Sequence, residues 1–542
     1  MNSDINYEEY SWDAIIIGTG IGGGTLGLKL AEAGKNVLFL EKGKSYLTNK
    51  DVLSGQYAEI YFPKIERPEP KHFEILQRAG RWSGLVCDTS GKKSNSNIPF
   101  VGMGTGGSSA LYGMVMERFS PIDFRDNHNN EKGEASKWPI SYNDLKPYYE
   151  EAERLYRVRG SVDPLRNENI STYMVPPDMI PANKEVFDFL SAKGFHPYQV
   201  PLACEFEQGC QNCQGFLCLK NCRNDSAKIC ISPAINQYGS RLLDICEVIK
   251  IETVEKSVSA VVCNWQDKTI HLRSKIVVLA AGALHTPALL LRSMSEQYPN
   301  GIANTSDQVG RNLMRHYIDI YAISVKQKPQ SEDYVKQIAF NDLYQSKEGR
   351  LGTVQSFGKL PPPSIQVATV YCKLKDSLLP LLASIFILFR PLVEIFVSII
   401  FTKRLILTSI MEDFPDRENR ITISQKGEIA MNYRINLSER NRIKIFRKKI
   451  REALKPYSYI LIKQADSNGR IAHVCGTCRF GANPENSVLN AMCQTHDLNN
   501  LFIVDSSFFP TSGGTNPALT IAANAIRVAE HINKTWDHYT KA

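Results

Sequence analysis

Little in this chain points to nucleic acid. Its 542 residues carry a formal net charge of only +8, and no zinc-finger, RRM-like or other nucleic-acid motif gathers that charge into a patch. There is no internal repeat and no low-complexity tract, which excludes a repeat array and a disordered tail. The first twelve residues, MNSDINYEEYSW, lack the basic and apolar regions of a secretory signal, so the chain reads as starting in the cytoplasm. Cysteines number thirteen, an odd count poorly suited to a complete disulfide set. What is present is ordinary for a globular protein: 43% hydrophobic and 22% charged residues, in a length that allows two domains or one large interleaved architecture.

The stretch 13–43 carries the first chemistry. Residues 14–17 form the short apolar run that a buried parallel strand needs. Gly18, Gly20 and Gly23 follow at G-x-G-x-x-G spacing, then a small, apolar helix that stops at Gly34 and a second strand over 37–40. Glycine lets the backbone approach a pyrophosphate, whose charge rests on the N–H groups of the helix N-terminus. Glu41 at the end of the second strand suits an unphosphorylated ribose, so the order predicts FAD or NAD rather than NADP.

Further glycine- and alanine-rich segments recur. Gly102, Gly104, Gly106 and Gly107 run into Ser108 and Ser109, bare backbone suited to a flat ring or a phosphate. A helix is expected over 142–154 with Ser141 as its N-cap. Residues 246–253 and 258–265 read as a hairpin, and 276–280 as a buried strand leading to AAGALHTPALLLRS, with Pro287 placed in a helix's first turn. Residues 501–504 read as a strand ending at Asp505, and Asn516-Pro517 as the start of a helix of small apolar residues.

One block is unusually apolar: residues 377–401, SLLPLLASIFILFRPLVEIFVSIIF. Its length suits a bilayer, but Pro380 and Pro391 interrupt it and Arg390 and Glu394 lie inside, where charge is costly. It reads first as a broken helical hairpin dipping into a membrane surface, with Lys403 and Arg404 at the headgroups. A buried helix pair or a greasy substrate-entry flap is the alternative, and a spanning helix the weakest reading. The basic run 440–451 reads as a surface helix with one buried face.

Taken together, the fingerprint, GMGTGGSSALYGMV, AAGALHTPALLLRS, HVCGTCRFG and NLFIVDSSFFP…GGTNPALTIAANAIR resemble the glucose–methanol–choline (GMC) oxidoreductases, in order, from residue 13 to about 533. The resemblance implies an α/β fold in which a Rossmann-like FAD-binding domain (10–160, 223–318 and 466–535) is interleaved with a sheet-and-helix, α+β substrate domain (161–222 and 319–465). It implies FAD, with Gly18, Gly20, Gly22, Gly23 and Glu41 at the ADP half and Gly104, Gly106, Gly107 and Ser108 along the flavin. Ala281, Asp505, Asn516 and Pro517 complete the cofactor contacts. His473 stands at the family's catalytic position, to take a hydroxyl proton while hydride passes to flavin N5. Asn516 stands at the second polar position, to orient the hydroxyl. His316 and His496 are read as structural.

Two departures refine this. Tyr112 sits where many members carry Asn, which makes the chain more similar to the cholesterol-oxidase-like and long-chain-alcohol-oxidase branches. The segment GCQNCQGFLCLKNCRNDSAK resembles the cysteine segment of those branches, and Cys213, Cys218 and Cys222 also match the spacing of GMC subunits that carry a [3Fe–4S] cluster. Zinc and a metal-free knot stay open beside it. The expected activity is FAD-dependent oxidation of a hydrophobic alcohol, sterol or long-chain in type, in the cytoplasm or peripherally at the inner face of the membrane, with oxygen, a quinone or a protein as electron acceptor. Non-redox use of flavin, as in GMC-fold lyases or photodecarboxylases, and an iron–sulfur-coupled dehydrogenase subunit are the alternatives.

Overall fold

The computed structural model describes residues 6–540, apart from 48–50, 63–67, 83, 92–93, 126–136, 211–212, 331–332, 334, 376–379 and 469–470. Two sheets organise it. The first is parallel, with strands in the order Leu501–Ile503, Ser274–Leu279, Trp12–Ile17, Val37–Leu40 and Arg241–Leu243. Its strands are apolar without alternation because both faces are covered: Ile15, Ile16, Leu38, Phe39, Val277 and Val278 are all buried. Ile15 pairs with Val277 on one side and Leu38 on the other. The fingerprint helix Ile21–Glu32 and the C-terminal helix Ala518–Lys534 pack together and join the same core.

The second sheet is antiparallel, in the order Tyr459–Lys463, Tyr317–Ser324, Arg404–Met411, Gly352–Ser356, Ile338–Phe340 and Tyr198–Gln199. Here the side chains alternate, as a pleated strand requires. Tyr317, Val354, Leu407 and Met411 enter a core shared with helices Pro181–Ala192 and Leu437–Leu454. Ile318, Gln355, Thr408 and Ile410 point the other way and line a cavity between the two sheets' segments.

Several local readings hold. Ser141 Oγ accepts from the Asp144 N–H (3.3 Å) and the Asp144 carboxylate accepts from the Ser141 N–H (2.8 Å), starting the helix Tyr142–Leu155. Strands Glu247–Val254 and Ser257–Trp265 pair as a hairpin. In the basic helix Leu437–Leu454, Ile443, Phe446 and Ile450 form the buried face, and Arg447 reaches Asp319 at 2.6 Å.

Two readings change. Pro287 lies inside the helix Gly282–Arg292 rather than in its first turn. A proline there cannot donate to the carbonyl of Ala283. The Thr477 hydroxyl donates to that oxygen instead, at 2.8 Å, so the helix tolerates the break. The apolar block forms two helices, Pro380–Leu388 and Arg390–Thr402, beside a third, Pro363–Lys375. Among the described residues no helix is long and apolar enough to cross a membrane. Its first residues, 377–379, lie outside the described set. Arg390 pairs with Glu394 at 2.6 Å, one turn on, so the two charges neutralise each other.

Candidate active site

The fingerprint glycines do two different jobs. Gly18 has a left-handed φ of +101°, and a Cβ on it would fall 2.4 Å from the Ala280 carbonyl. On Gly22 it would lie 2.2 Å from the Val504 carbonyl, and on Gly23 2.1 Å from that of Gly18. These three let helix and strands close. Gly20 is different: a Cβ there would meet no atom within 4 Å. It faces open cavity at the uncapped N-terminus of the fingerprint helix, whose first N–H groups are without helical partners.

The second glycine loop closes onto the first. Gly107 approaches the Cα of Gly20 to within 3.2 Å of where its own Cβ would be. The Thr19 hydroxyl, missed in the sequence because it occupies an x position, clasps the two: it donates to Glu41 Oε2 at 2.6 Å and accepts from the Gly106 N–H at 3.0 Å. Glu41 Oε1 takes the N–H groups of Gly43 (3.0 Å) and Gly104 (3.1 Å). Burial pushes the Glu41 carboxyl above its usual range, against these donors. Ser108 Oγ accepts from the Gly102 N–H at 3.1 Å.

Asp505 is equally committed. Its Oδ2 accepts from the Gly282 N–H (2.9 Å) and the Thr286 hydroxyl (2.5 Å), and its Oδ1 from the Ser507 N–H (2.8 Å) and hydroxyl (2.6 Å). It thus ties the strand end to the helix beginning beside Ala281. Gly18, Gly20, Gly22, Glu41, Gly107, Ser108 and Asp505, with Ala281, Asn516 and Pro517, border one cavity of about 1430 Å³ that runs from Gly20 and Glu41 past Gly107 and Asp505 to His473, whereas Gly23, Gly104 and Gly106 do not line it. Its volume exceeds the roughly 300–1,000 Å³ of pockets for drug-sized ligands, and its glycine-lined end fits a dinucleotide: FAD would rest on Gly20, Gly107, Ser108 and the two helix N-termini.

At the far end two imidazoles meet. Backbone bonds between Met314 and Cys475 (2.9 and 3.0 Å) and from His316 N–H to Ala472 (3.2 Å) bring the two segments together. His316 Nε2 lies 2.8 Å from the Gly513 carbonyl and 3.1 Å from that of Ser512, so this nitrogen carries the proton. Its Nδ1 is therefore an acceptor, and His473 Nδ1–H donates to it at 2.9 Å. His473 Nε2 is left with a free lone pair, without a protein partner among the described residues, on a ring that lines the cavity. Burial, with His316 and Lys336 adding, pulls His473 down to about 3, and burial pulls His316 to about 4. Both are neutral at pH 7. His316 is thus no remote core residue but the neighbour that sets the tautomer of His473; only the pairing of distant segments reveals it.

Asn516 Oδ1 accepts from Gln355 Nε2 at 2.7 Å, which turns the Asn516 amide N–H groups toward the cavity. The buried Gln355 Oε1 has no partner. Asn516 also opens the 17-residue helix Ala518–Lys534, which has no acidic residue in its first turn to mask the positive dipole end.

The cysteines pair two by two. The Cys213 thiol bonds to Cys218, while Cys222 bonds to Cys210, itself 3.8 Å from Cys204. Among the described residues no three His, Cys, Asp or Glu side chains are grouped as metal ligands. Spacing along a loop does not decide which sulfurs face each other.

Two family models, both described as GMC oxidoreductase, match residues 13–318 and 415–525. The chain is 26% identical to 2-methyl-1,2-propanediol dehydrogenase of Mycolicibacterium austroafricanum over 97% of this chain and 95% of that one. It is 23% identical to a long-chain-alcohol oxidase of Arabidopsis thaliana, over 95% of this chain and 67% of the other. The solved pyridoxine 4-oxidase from Mesorbium loti superposes with a TM-score of 0.63 at 18% identity, covering 97% and 99% of the two chains, and shows the same fold.

Proposed function

The chain belongs to the GMC oxidoreductases, FAD flavoproteins acting on CH–OH donors, and on that premise we propose that it oxidises a hydrophobic alcohol, sterol or long-chain in type, with His473 as base. The observation that carries the chemistry is the free lone pair of His473 Nε2, fixed by the His316 tautomer in the cavity that Asn516 also lines. FAD supplies the hydride acceptor. Asn516 holds the hydroxyl by an N–H donor, and His473 Nε2 takes its proton. His316 Nδ1 goes on accepting the Nδ1–H of His473 as that proton is taken, which holds the ring in register.

The apolar substrate class is supported by the cavity's outer wall. Phe357, Ile365 and Ala368 line it, on and before the helix Pro363–Lys375. That helix packs against the pair Pro380–Leu388 and Arg390–Thr402. There Ile385, Leu388, Leu392, Ile395, Phe396 and Ile399 are each more than half exposed, Leu388 by 75%. An apolar face of this size, next to the cavity and followed by the exposed Lys403, supports peripheral contact with a lipid surface from which an apolar alcohol enters.

Anaerobic addition of sterols, fatty alcohols and sugars tests the reading. Bleaching of the flavin by the apolar alcohols is expected; flavin that stays oxidised with every alcohol overturns it and leaves a lyase. The membrane contact is tested by co-sedimentation with anionic phospholipid vesicles. Leu388→Glu with Phe396→Glu removes two insertions of roughly 1.5–3 kcal/mol each, so bound protein should fall more than about tenfold. Wild-type protein that stays in the supernatant removes the membrane from the account.

A further inference from the structure

Four buried arginines face carboxylates: Arg81 meets Glu59 (3.0 Å), Arg118 meets Glu153 (2.5 Å), Arg350 meets Glu412 (2.8 Å) and Arg442 meets Glu439 (2.5 Å). Three others, Arg223, Arg315 and Arg527, spread their charge over two or more neutral oxygens each. Lys336 has less than any of these. It is 5% exposed, just before the strand Ile338–Phe340, and it lines the same cavity as His473. Its Nζ sits against Gly113, where a Cβ would be 2.3 Å away, at the end of the second glycine segment. The one hydrogen-bond partner among the described residues is the neutral Gln214 Oε1, at a long 3.3 Å. The charges that act on it or that it acts on, Arg223 and His473, are cationic when ionised.

An ammonium held out of water without a counter-ion is costly. Burial, with Arg223 adding, brings Lys336 down to about 7, so near neutrality it readily stays charged if an anion joins it. From this unmatched cation in the cavity wall we infer that Lys336 is an anchor for a carboxylate on the substrate, and that the alcohol oxidised is a hydroxy acid with an apolar chain. Lys336 and His473 line one cavity, where the lysine's charge opposes protonation of the imidazole, so a single substrate can meet both, its carboxylate at the lysine and its carbinol at the imidazole. The apolar chain runs toward Phe357, Ile365 and Ala368. Binding the carboxylate also relieves that opposition, so the anionic substrate raises the basicity of His473 as it docks. The inference rests on the alcohol-oxidising reading of this cavity and names its substrate class.

The FAD-loaded enzyme is compared on 3-hydroxyoctanoate and its neutral primary amide. Hydrogen bonds to a charged group distinguish the two by about tenfold to a hundredfold in kcat/KM, in favour of the acid. Lys336→Met should bring the ratio to near one, and Lys336→Arg should keep the preference. Octanoate, which has no hydroxyl to oxidise, should perturb the visible flavin spectrum saturably in the wild type and not in Lys336→Met. Equal kcat/KM for acid and amide in the wild type overturns the inference, as does a preference that survives Lys336→Met. A flavin spectrum altered by Lys336→Met with no carboxylate present assigns the lysine to the cofactor and also overturns it. If Lys336→Met loses FAD, the wild-type ratio and Lys336→Arg still decide. Saturable octanoate binding without flavin reduction by any alcohol would sink the oxidation reading while leaving the anchor standing.

Discussion

His473→Ala slows flavin reduction by substrate alcohol about 10²- to 10⁴-fold, the usual worth of a positioned base, while the protein keeps its yellow colour. The cofactor cradle lies at the other end of the cavity, on Gly20, Glu41 and Gly107, and does not lean on this imidazole. A rapid-mixing measurement of the reductive step checks it, and unchanged reduction would remove His473 from the chemistry. The pH dependence sharpens the test. An exposed histidine near 6.5 loses its free lone pair below that pH. His473 lies at about 3, so protonation disables it only far below neutrality, and with a neutral alcohol it gives kcat/KM no acid limb between about pH 5 and 8. His316→Phe removes the acceptor that fixes the tautomer, and should lower the rate with less effect on KM.

The second large effect separates two glycines that a motif treats alike. Gly22→Ala places a Cβ 2.2 Å from the Val504 carbonyl, backbone that cannot step aside. The fingerprint helix must then lift off the strand Leu501–Ile503, at the upper end of the ~1–3 kcal/mol typical of overpacking or beyond it. Thermal midpoint and bound FAD should fall together. Gly20→Ala meets no protein atom and its backbone, φ −62°, suits alanine. Its methyl group enters only open cavity, where the pyrophosphate of FAD would lie, so the apoprotein's midpoint should hold while FAD affinity drops more than about tenfold. Equal destabilisation of the two apoproteins would refute this division.

The difference between those glycines marks where sequence reading reaches. A strand, a turn, a helix and an acid within thirty residues are local, and so are the Ser141 cap and the hairpin ending at Trp265. Their physics is written in neighbours. The working end of the cavity is assembled from far apart. His316 reaches His473 through a backbone bridge across more than 150 positions, Gln355 reaches Asn516 from the six-stranded sheet, and Lys336 arrives on a connecting segment. None has a motif, because each role depends on which face of a strand meets which loop. Pro287 sits mid-helix for the same reason: the hydroxyl that makes it tolerable belongs to Thr477, distant in sequence. The cysteines show the converse, a local pattern whose pairing is decided by loop geometry.

The six-stranded antiparallel sheet has a consequence for change over time. Along Tyr317–Ser324, Gly352–Ser356 and Arg404–Met411, side chains alternate between the core and a second face, where Ile318, Gln355, Thr408 and Ile410 line the cavity while Ile320, Ala322 and Ile406 pack in a separate apolar cluster. Substrate preference is therefore inherited on separate letters from stability. Ile318, Gln355, Thr408 and Ile410 form an alphabet that mutation can rewrite without loosening Tyr317, Val354, Leu407 or Met411. A single-residue insertion in any of these strands does the opposite, exchanging both sets at once. Lineages carrying this sheet should thus diversify by point substitution at alternate positions and purge length changes within the strands.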